Sequence, residues 1–302
     1  MARFVLCADL HIRSNKPKHR KDDYFESVVV KLQQIIDLAN KRKANILCAG
    51  DIFDHTKVGH KVVNKIIDVL NSFNHKFYVV YGQHDSTYHS KNLENSPLYT
   101  LLDKKNVILL NSKKPKKING FYVYGCSWEE KPIKPKTKKS ILVIHKSITP
   151  KDPPFFLKDA LSSKDFLNKH KGYSFIVSGD YHHPFIYSKQ NRTIINCGTI
   201  MRNKIDMFDF KPRVYFLDTN NDILKPIFLK IKKPKDVFLE VDENKHIDQK
   251  FGEELNDLIK ELKKHSKRPN FSHIVHNIKN KMKVDQQTNK NIERIMEKAK
   301  NG

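Results

Sequence analysis

The chain has 302 residues, of which 38% are hydrophobic, so it can form one large domain and a smaller one. Lys and Arg outnumber Asp and Glu by 57 to 33, a net charge of +24 that predicts a polyanionic partner, with nucleic acid first. The alternative is that these lysines form only a solvated surface. No apolar stretch is long enough to span a membrane, which excludes a transmembrane class.

Cysteine use indicates a reducing compartment. The four cysteines are far apart in the sequence and form no Cys-x-x-Cys pair: Cys7, Cys48, Cys126 and Cys197. Because they suggest no disulfide framework, and because the N-terminal apolar run is too short for a signal peptide, we expect a cytoplasmic protein.

Strands and helices alternate in the first part of the chain. Apolar runs predict strands at 2–8, 46–49 and 77–81, and apolar residues at helical spacing predict helices at 23–43 and 58–73. This order predicts parallel strands joined by right-handed crossovers.

The pattern then turns mainly to strands. Extended segments are predicted at 107–110, 121–127, 141–145, 175–178, 185–188, 193–197 and 213–218. A second sheet packed on the first explains them, with helices on the two outer faces. The predicted fold is therefore an α/β, four-layer α-β-β-α sandwich.

A basic stretch at 230–237 marks the predicted domain boundary, which separates a domain at 1–235 from a helical region at 236–302. Apolar stripes in the second part predict helices that either cover the substrate, dock a partner or simply pack on the sandwich.

Chemically active side chains follow the buried strands, where each strand ends. They are Asp9, His11, Asp51, Asp54, Gln83, His84, Asp85, His145, Asp180 and His182. Ligands in α/β folds bind beyond the carboxyl ends of strands, and Asp, His and amide side chains bind divalent metals. The set predicts one metal site, and two metals in it could clamp a phosphate. Singly, each residue has an ordinary explanation, such as a turn Asp or a hydrogen-bonded core His.

In order, these clusters resemble the signature of the calcineurin-like metallophosphoesterases over residues 1–218. The continuation at 195–202, Ile-Asn-Cys-Gly-Thr-Ile-Met-Arg, and Lys-Pro-Arg-Val-Tyr at 211–215 resemble SbcD-type DNA repair nucleases, in particular the bacteriophage versions.

The resemblance implies roles for individual residues. Asp9, His11 and His182 would bind the first metal, Asp51 would bridge, and Gln83, His145 and Asp180 would bind the second. His84 would face the scissile phosphate, with Asp85 orienting it as a second catalytic residue, and Asp54 would support the site without ligating.

Two positions depart from the family pattern. Gln83 stands where Asn is usual, and Asp180 stands where the first His of Gly-His-x-His is usual. An additional carboxylate makes the site richer in oxygen, which favours Mn²⁺, or Mg²⁺, over Zn²⁺. The same departures leave open a weakened second site.

The predicted function is a two-metal DNA nuclease in repair or recombination. The resemblance implies two partners, DNA and an SbcC-type coiled-coil ATPase, and it leaves room for a homodimer. The alternatives are a phosphoesterase for nucleotides, RNA or phosphoproteins, and a non-catalytic scaffold with the same fold.

Overall fold

The computed structural model describes residues 2–87, 92–153, 157, 159–204 and 207–239. They belong to a compact unit that extends from Met1 to Glu240, and a second unit, Val241–Gly302, lies outside the described residues. Among the residues described, no helix combines the length and apolar character needed to cross a bilayer.

The elements follow one another in a βα pattern and then in a mainly β pattern. In chain order they are β1 (Arg3–Cys7), α1 (Tyr24–Arg42), β2 (Asn45–Cys48), α2 (His60–Asn71), β3 (Phe77–Val79), α3 (Pro97–Leu102), β4 (Val107–Leu109), β5 (Lys116–Ile118), β6 (Phe121–Cys126), β7 (Ser140–His145), β8 (Ile148–Thr149), β9 (Leu161–Ser162), α4 (Ser163–Lys169), β10 (Phe175–Gly179), β11 (Phe185–Lys189), β12 (Arg192–Asn196), β13 (Arg213–Asp218), β14 (Ile223–Phe228) and α5 (Pro234–Val237).

Two six-stranded mixed sheets contain most of the strands. The first has the order β14-β13-β1-β2-β3-β4, and the second has the order β11-β12-β10-β7-β6-β5. Strands β1 to β4 are parallel to one another, as are β6, β7, β10 and β12. The carboxyl ends of each parallel group therefore lie at one edge of their sheet.

Three apolar clusters show how the layers pack. Val28, Leu32 and Ile46 belong to a core between the helices α1 to α3 and the first sheet. A second core between the two sheets includes Leu6 and Val143. The third lies between the second sheet and α4. The predicted α-β-β-α sandwich is confirmed, and its second helical layer consists, among the described residues, of the short helix α4.

Helix α1 illustrates why the sequence prediction worked. Asp23 caps its first turn by accepting a hydrogen bond from the Glu26 N–H, and Lys43 ends it in a left-handed conformation. Between these caps, the apolar residues at helical spacing are the buried ones. The observed bounds lie within one residue of the prediction at each end.

Strands β5, β8, β9 and β14 were not predicted. Strands β5 and β14 are the edges of their sheets, and β14 contains Pro226 and exposed Lys225. Lysine and proline are common on edge strands because they discourage pairing with another chain. The apolar periodicity of β5 and β14 is weak because each strand has one face and one edge in contact with solvent.

The last described residues pack on the loop before α1. The Lys21 N–H donates to the Val237 carbonyl at 2.8 Å, and the Leu239 N–H donates to the His19 carbonyl at 3.0 Å. Phe238 is buried. The first unit therefore continues past the predicted boundary at residue 235, and the helices predicted farther on lie outside the described residues.

Candidate metal centre

The candidate metal centre lies where strands of both sheets end. Asp9 follows β1, Asp51 follows β2, His145 ends β7 and Asp180 follows β10. The two sheets are joined here directly, because the Asp180 N–H donates to Asp9 Oδ1 at 3.0 Å. The predicted gathering of these side chains at one place is what the structure shows.

Four of the predicted ligands have a left-handed backbone. Their φ angles are 51° for Asp9, 46° for His11, 50° for Asp51 and 78° for Asp180. This conformation is uncommon for residues with a Cβ and clusters at functional sites. The backbone therefore leaves the extended conformation shortly after β1, β2 and β10, where these side chains join the cluster.

Asp9, His11 and His182 form the first group of candidate ligands. Their ligand atoms lie within 4.8 Å of one another. The Nε2 atoms of His11 and His182 are 3.1 Å apart. Two imidazole nitrogens and a carboxylate at this spacing can hold one divalent cation.

A second group contains Asp9, Asp51 and His145 and shares Asp9 with the first. Asp51 also lies near the first group, because its Oδ2 is 3.9 Å from His11 Nε2. Asp51 Oδ1 accepts a hydrogen bond from the His84 N–H at 3.1 Å. Asp51 Oδ2 is buried without a hydrogen-bond partner among the described residues, 3.4 Å from His145 Nε2. A buried carboxylate oxygen without a hydrogen bond is costly, and a cation beside it would reduce that cost.

Gln83 and Asp180 extend the second group through hydrogen bonds. Gln83 Oε1 lies 2.8 Å from His145 Nε2, and its amide group donates to Asp180 Oδ1 at 3.0 Å. Asp180 Oδ1 is 4.0 Å from His145 Nε2. The two residues that depart from the family pattern therefore contact each other, and all seven predicted ligands lie in one cluster.

His84 lies beside the cluster with its ring partly exposed. Its Nδ1 is 2.7 Å from the Asp54 carbonyl oxygen, which can only accept, so Nδ1 carries a proton. Its Nε2 is 4.0 Å from Asp51 Oδ2. The ring is thus fixed through one nitrogen and presents the other to the site, as expected for a group that contacts substrate.

Asp85 does not orient His84, contrary to the prediction. Its buried carboxylate accepts hydrogen bonds from the N–H groups of Ile52, Phe53 and Gly82, at 3.0–3.2 Å. Residues Gln83–Asp85 form a 3-10 turn, in which consecutive side chains point about 120° apart. Asp85 therefore ties the loop after β2 to the loop after β3.

Asp54, not Asp85, supports His84, and it supports His11 as well. Its Oδ1 is 3.1 Å from His11 Nδ1, and its Oδ2 accepts a hydrogen bond from Arg13 at 2.7 Å. The main-chain carbonyl of the same residue binds His84. A carboxylate behind a metal-binding histidine fixes its ring and its tautomer, which agrees with the supporting role predicted for Asp54.

Two glycines leave room for the buried histidine and aspartate. A Cβ on Gly50, whose φ is +92°, would lie 2.5 Å from His145 Nδ1. A Cβ on Gly82 would overlap Asp51 Oδ1 and lie 2.7 Å from His145 Nε2. His145 is therefore enclosed by main chain, and its Nδ1 lies 2.7 Å from the Ala49 carbonyl.

The pKa values of the clustered carboxylates and imidazoles are shifted strongly and in different directions. Burial, together with Asp51, raises the pKa of Asp9 to about 7, although His145 opposes this. Burial also acts on Asp51, but His145 and His11 hold its pKa below the usual range. Burial and the charge of His11 lower the pKa of His182 to about 3. Such a set of carboxylates and imidazoles fits divalent cations, which when bound polarise phosphate oxygens and ionise water.

Two supporting residues were not singled out from the sequence. Thr199 Oγ1 donates to the Asp9 carbonyl at 2.9 Å, and the Asn196 amide donates to the carbonyls of Tyr181 and His183. Both belong to the segment 195–202 that carries the resemblance to SbcD-type nucleases. The resemblance was the signal that could have identified them.

The fold and this cluster define a metal-dependent phosphoesterase, built on two mixed sheets in an α/β sandwich. A family model described as calcineurin-like phosphoesterase matches residues 2–184. The chain belongs to this family, and no curated protein matches it in a sequence search.

Several solved structures are similar to the chain. An archaeal phosphodiesterase has 14% identity and a TM-score of 0.45, covering 75% of this chain and 99% of its own. A putative 5'-nucleotidase from Staphylococcus aureus has 14% identity and a TM-score of 0.47, and the match covers 85% of this chain and 58% of the nucleotidase. Vps29 from Entamoeba histolytica, complexed with zinc, has 12% identity and a TM-score of 0.37, and the match covers 75% of this chain and 98% of Vps29.

Proposed function

We propose that the chain is a DNA nuclease of the SbcD type, which hydrolyses phosphodiester bonds with two divalent cations in repair or recombination. The observation that carries the proposal is a phosphoesterase site on a chain with a net charge of +24. A substrate with many phosphates would gain from such a charge along its whole length, whereas a single phosphate would not.

The narrower SbcD assignment depends on the residues after the family match. Residues 195–202 and 211–215 carry the resemblance, and they lie beyond the segment 2–184 that the family model covers. Asn196 and Thr199 of this segment bind main-chain groups of the metal centre. The segment is thus a part of the site, which supports its use in the assignment.

Each side chain then has a distinct task. Asp9, His11 and His182 would hold one cation, Gln83, His145 and Asp180 the other, and Asp51 both. His84, held by Asp54, would contact the scissile phosphate through Nε2 and stabilise its developing charge or protonate the leaving oxygen.

We further propose Mn²⁺ as the preferred cation, with Mg²⁺ as the second choice. Gln83 and Asp180 supply oxygen at positions close to His145, and oxygen ligands favour these ions over Zn²⁺. The assay compares metal-stripped protein reloaded with each ion; greater activity with Zn²⁺ contradicts this choice.

The proposed partner is an SbcC-type coiled-coil ATPase in the cytoplasm, and a homodimer of the chain is compatible with the same function. Pull-down of the ATPase with the full chain and with a chain ended after Leu239 tests whether the second unit is needed. Equal recovery of the ATPase with both chains assigns the contact to the first unit.

The central experiment incubates the reloaded protein with end-labelled linear DNA and with closed circular DNA, with and without the ATPase. Cleavage that depends on Mn²⁺ and is lost in His84→Ala supports the proposal. Hydrolysis of bis(p-nitrophenyl) phosphate without cleavage of either DNA contradicts the nuclease and leaves a phosphoesterase for another substrate. Absence of both activities indicates a scaffold.

A further inference from the structure

A long loop connects β6 to β7 and begins beside the metal centre. The end of β6 pairs with β7 next to His145, since Cys126 is the partner of Ile144. The Trp128 N–H donates to the Tyr81 carbonyl at 3.0 Å, and Tyr81 precedes the Gly82–Gln83 turn of the site. Because β6 and β7 are parallel, the loop must return to the opposite edge of the sheet.

The loop makes this return over the outer face of the second sheet. The Lys136 N–H donates to the Tyr124 hydroxyl at 3.3 Å, and the Tyr173 hydroxyl donates to the Ile133 carbonyl at 2.5 Å. Both tyrosines belong to the apolar cluster that α4 covers. The loop is therefore held beside α4, along a path that leads away from the metal centre.

A cleft of about 520 Å³ lies between this loop and the end of α4. The loop contributes Pro132, Ile133 and Lys134, and the end of α4 contributes Asn168, Lys169, His170 and Lys171. We refer to it as the lysine cleft. It is open to solvent and contains no acidic side chain among its lining residues.

The lysines of the cleft have no ion-pair partner within the part of the chain that the structure describes. All three of them, Lys134, Lys169 and Lys171, are exposed. The acid of α4, Asp165, is engaged by the Ser162 hydroxyl at 2.6 Å. Between residues 131 and 151 the sequence contains lysines but no Asp or Glu: Lys131, Lys134, Lys136, Lys138, Lys139, Lys146 and Lys151.

We propose that the lysine cleft binds the sugar-phosphate backbone of a nucleic-acid substrate at a distance from the bond that is cleaved. This inference rests on the proposed nuclease function. A six-residue strand such as β6 is about 20 Å long, which corresponds to roughly six base pairs. A bound duplex longer than this could contact residues at both ends of such a strand, and three lysines can each approach one phosphate without reading its sequence.

The test measures binding of a fluorescein-labelled DNA duplex to the full chain by anisotropy, in a His84→Ala background with EDTA to prevent cleavage. The variant carries Lys134→Ala, Lys169→Ala and Lys171→Ala. The control carries Lys41→Ala, Lys65→Ala and Lys105→Ala, which removes the same charge from exposed positions on the helical side of the first sheet. Both are compared across about 50 to 200 mM salt.

We expect the cleft variant to bind more weakly and to have a slope of log affinity against log salt that is shallower by roughly two to three units, as for three lost phosphate contacts. The control should lose at most a small part of the slope. In the His84-containing protein, hydrolysis of bis(p-nitrophenyl) phosphate should be equal in all three chains, because this substrate does not reach the cleft.

Different results would contradict the nuclease proposal and the lysine-cleft proposal. Equal loss of binding in the cleft variant and the control overturns the lysine cleft, even if the protein cleaves DNA. Failure of the unaltered chain to cleave any DNA overturns the nuclease, and the slopes then still decide whether the cleft binds nucleic acid. Absence of any salt-dependent DNA binding overturns the cleft as well.

Discussion

The Asp51 carboxylate accepts a hydrogen bond from the main-chain N–H of His84 through Oδ1 at 3.1 Å, while its Oδ2 is buried and has no hydrogen-bond partner among the described residues. One oxygen thus positions the proposed substrate-binding residue, and the other is left for a cation. The two functions of Asp51 can be separated by substitution.

The substitution Asp51→Asn keeps an oxygen for the His84 N–H but removes the negative charge. We expect the rate of bis(p-nitrophenyl) phosphate hydrolysis to fall at least about a hundredfold, because a bound cation contributes several kcal/mol to the transition state. Metal content, measured by mass spectrometry, should fall in parallel. A variant that retains both metals at full occupancy would contradict the bridging role.

Asp54 is expected to act through His11. The substitution Asp54→Asn leaves the carbonyl that binds His84 but weakens the contact of Oδ1 with His11 Nδ1. Loss of such a support costs about 10- to 100-fold in metal affinity or activity. Titration with Mn²⁺ should show a higher metal requirement, and excess Mn²⁺ should restore part of the rate.

The substitution Asp85→Asn, in contrast, should lower the unfolding temperature, because Asp85 binds three main-chain N–H groups.

The approach of Gly82 to the site predicts a local defect. The substitution Gly82→Ala places a methyl group against Asp51 and His145, so we expect loss of activity and of metal binding. The matched control is Gly59→Ala, where a Cβ has no atom within 4 Å and φ is −68°. The control should retain activity; equal rates in the two variants would show that the close approach has no consequence.

Asp180 contributes a carboxylate to the second group of candidate ligands, where the family usually has a histidine. The substitution Asp180→His restores the usual family residue, and we expect the ratio of Zn²⁺-supported to Mn²⁺-supported hydrolysis to rise. Gln83 loses its acceptor in this variant, so the total rate with Mn²⁺ should fall. An unchanged ratio of the two rates would mean that Asp180 does not set the metal preference.

Buried Lys31 predicts a dependence of stability on pH. Burial, with Arg20 and Arg202 nearby, lowers its pKa from 10.5 to about 7. Between about pH 7 and 10.5 the unfolded chain binds more protons at this residue than the folded one, so its cost to stability is largest below pH 7 and decreases as pH rises.

The substitution Lys31→Met removes this cost while keeping the buried chain length. We expect the variant to be more stable at pH 7, by on the order of 2–4 kcal/mol, and the difference should nearly vanish by about pH 10.5. Urea unfolding of both proteins at neutral and alkaline pH measures it. A constant difference across this range would show that Lys31 is charged in the folded protein.

The sequence identified the candidate ligands but not all of the residues that support them. Asp9, Asp51 and His145 could be found because each follows a buried apolar run, and the order of strands in an α/β fold brings such positions together. The supporting role predicted for Asp54 agrees with its contacts, but the role predicted for Asp85 was wrong, because it depends on the direction of the side chain in a turn. A pattern of residue types carries no information about that direction.

Sequence patterns also could not predict the edge strand β14 or the hydrogen bond that Gln83 makes. Strand β14 has no clear alternation because it contacts solvent along one edge. The hydrogen bond from Gln83 to Asp180 joins loops of two different sheets, at a distance of 97 residues in the chain. Contacts of that kind arise from how the sheets pack, which local sequence does not define.

The left-handed backbone at Asp9, His11, Asp51 and Asp180 has a consequence for evolution of the fold. Each of these residues adopts a conformation that glycine would adopt at less cost, on the order of 1–2 kcal/mol. Replacement by glycine would relieve this backbone cost, but it would remove a candidate ligand and, at Asp9 and Asp51, the hydrogen bonds from the Asp180 and His84 N–H groups. The chain therefore keeps four unfavourable backbone conformations together with their side chains, and a descendant that no longer needed the site would be free to lose both.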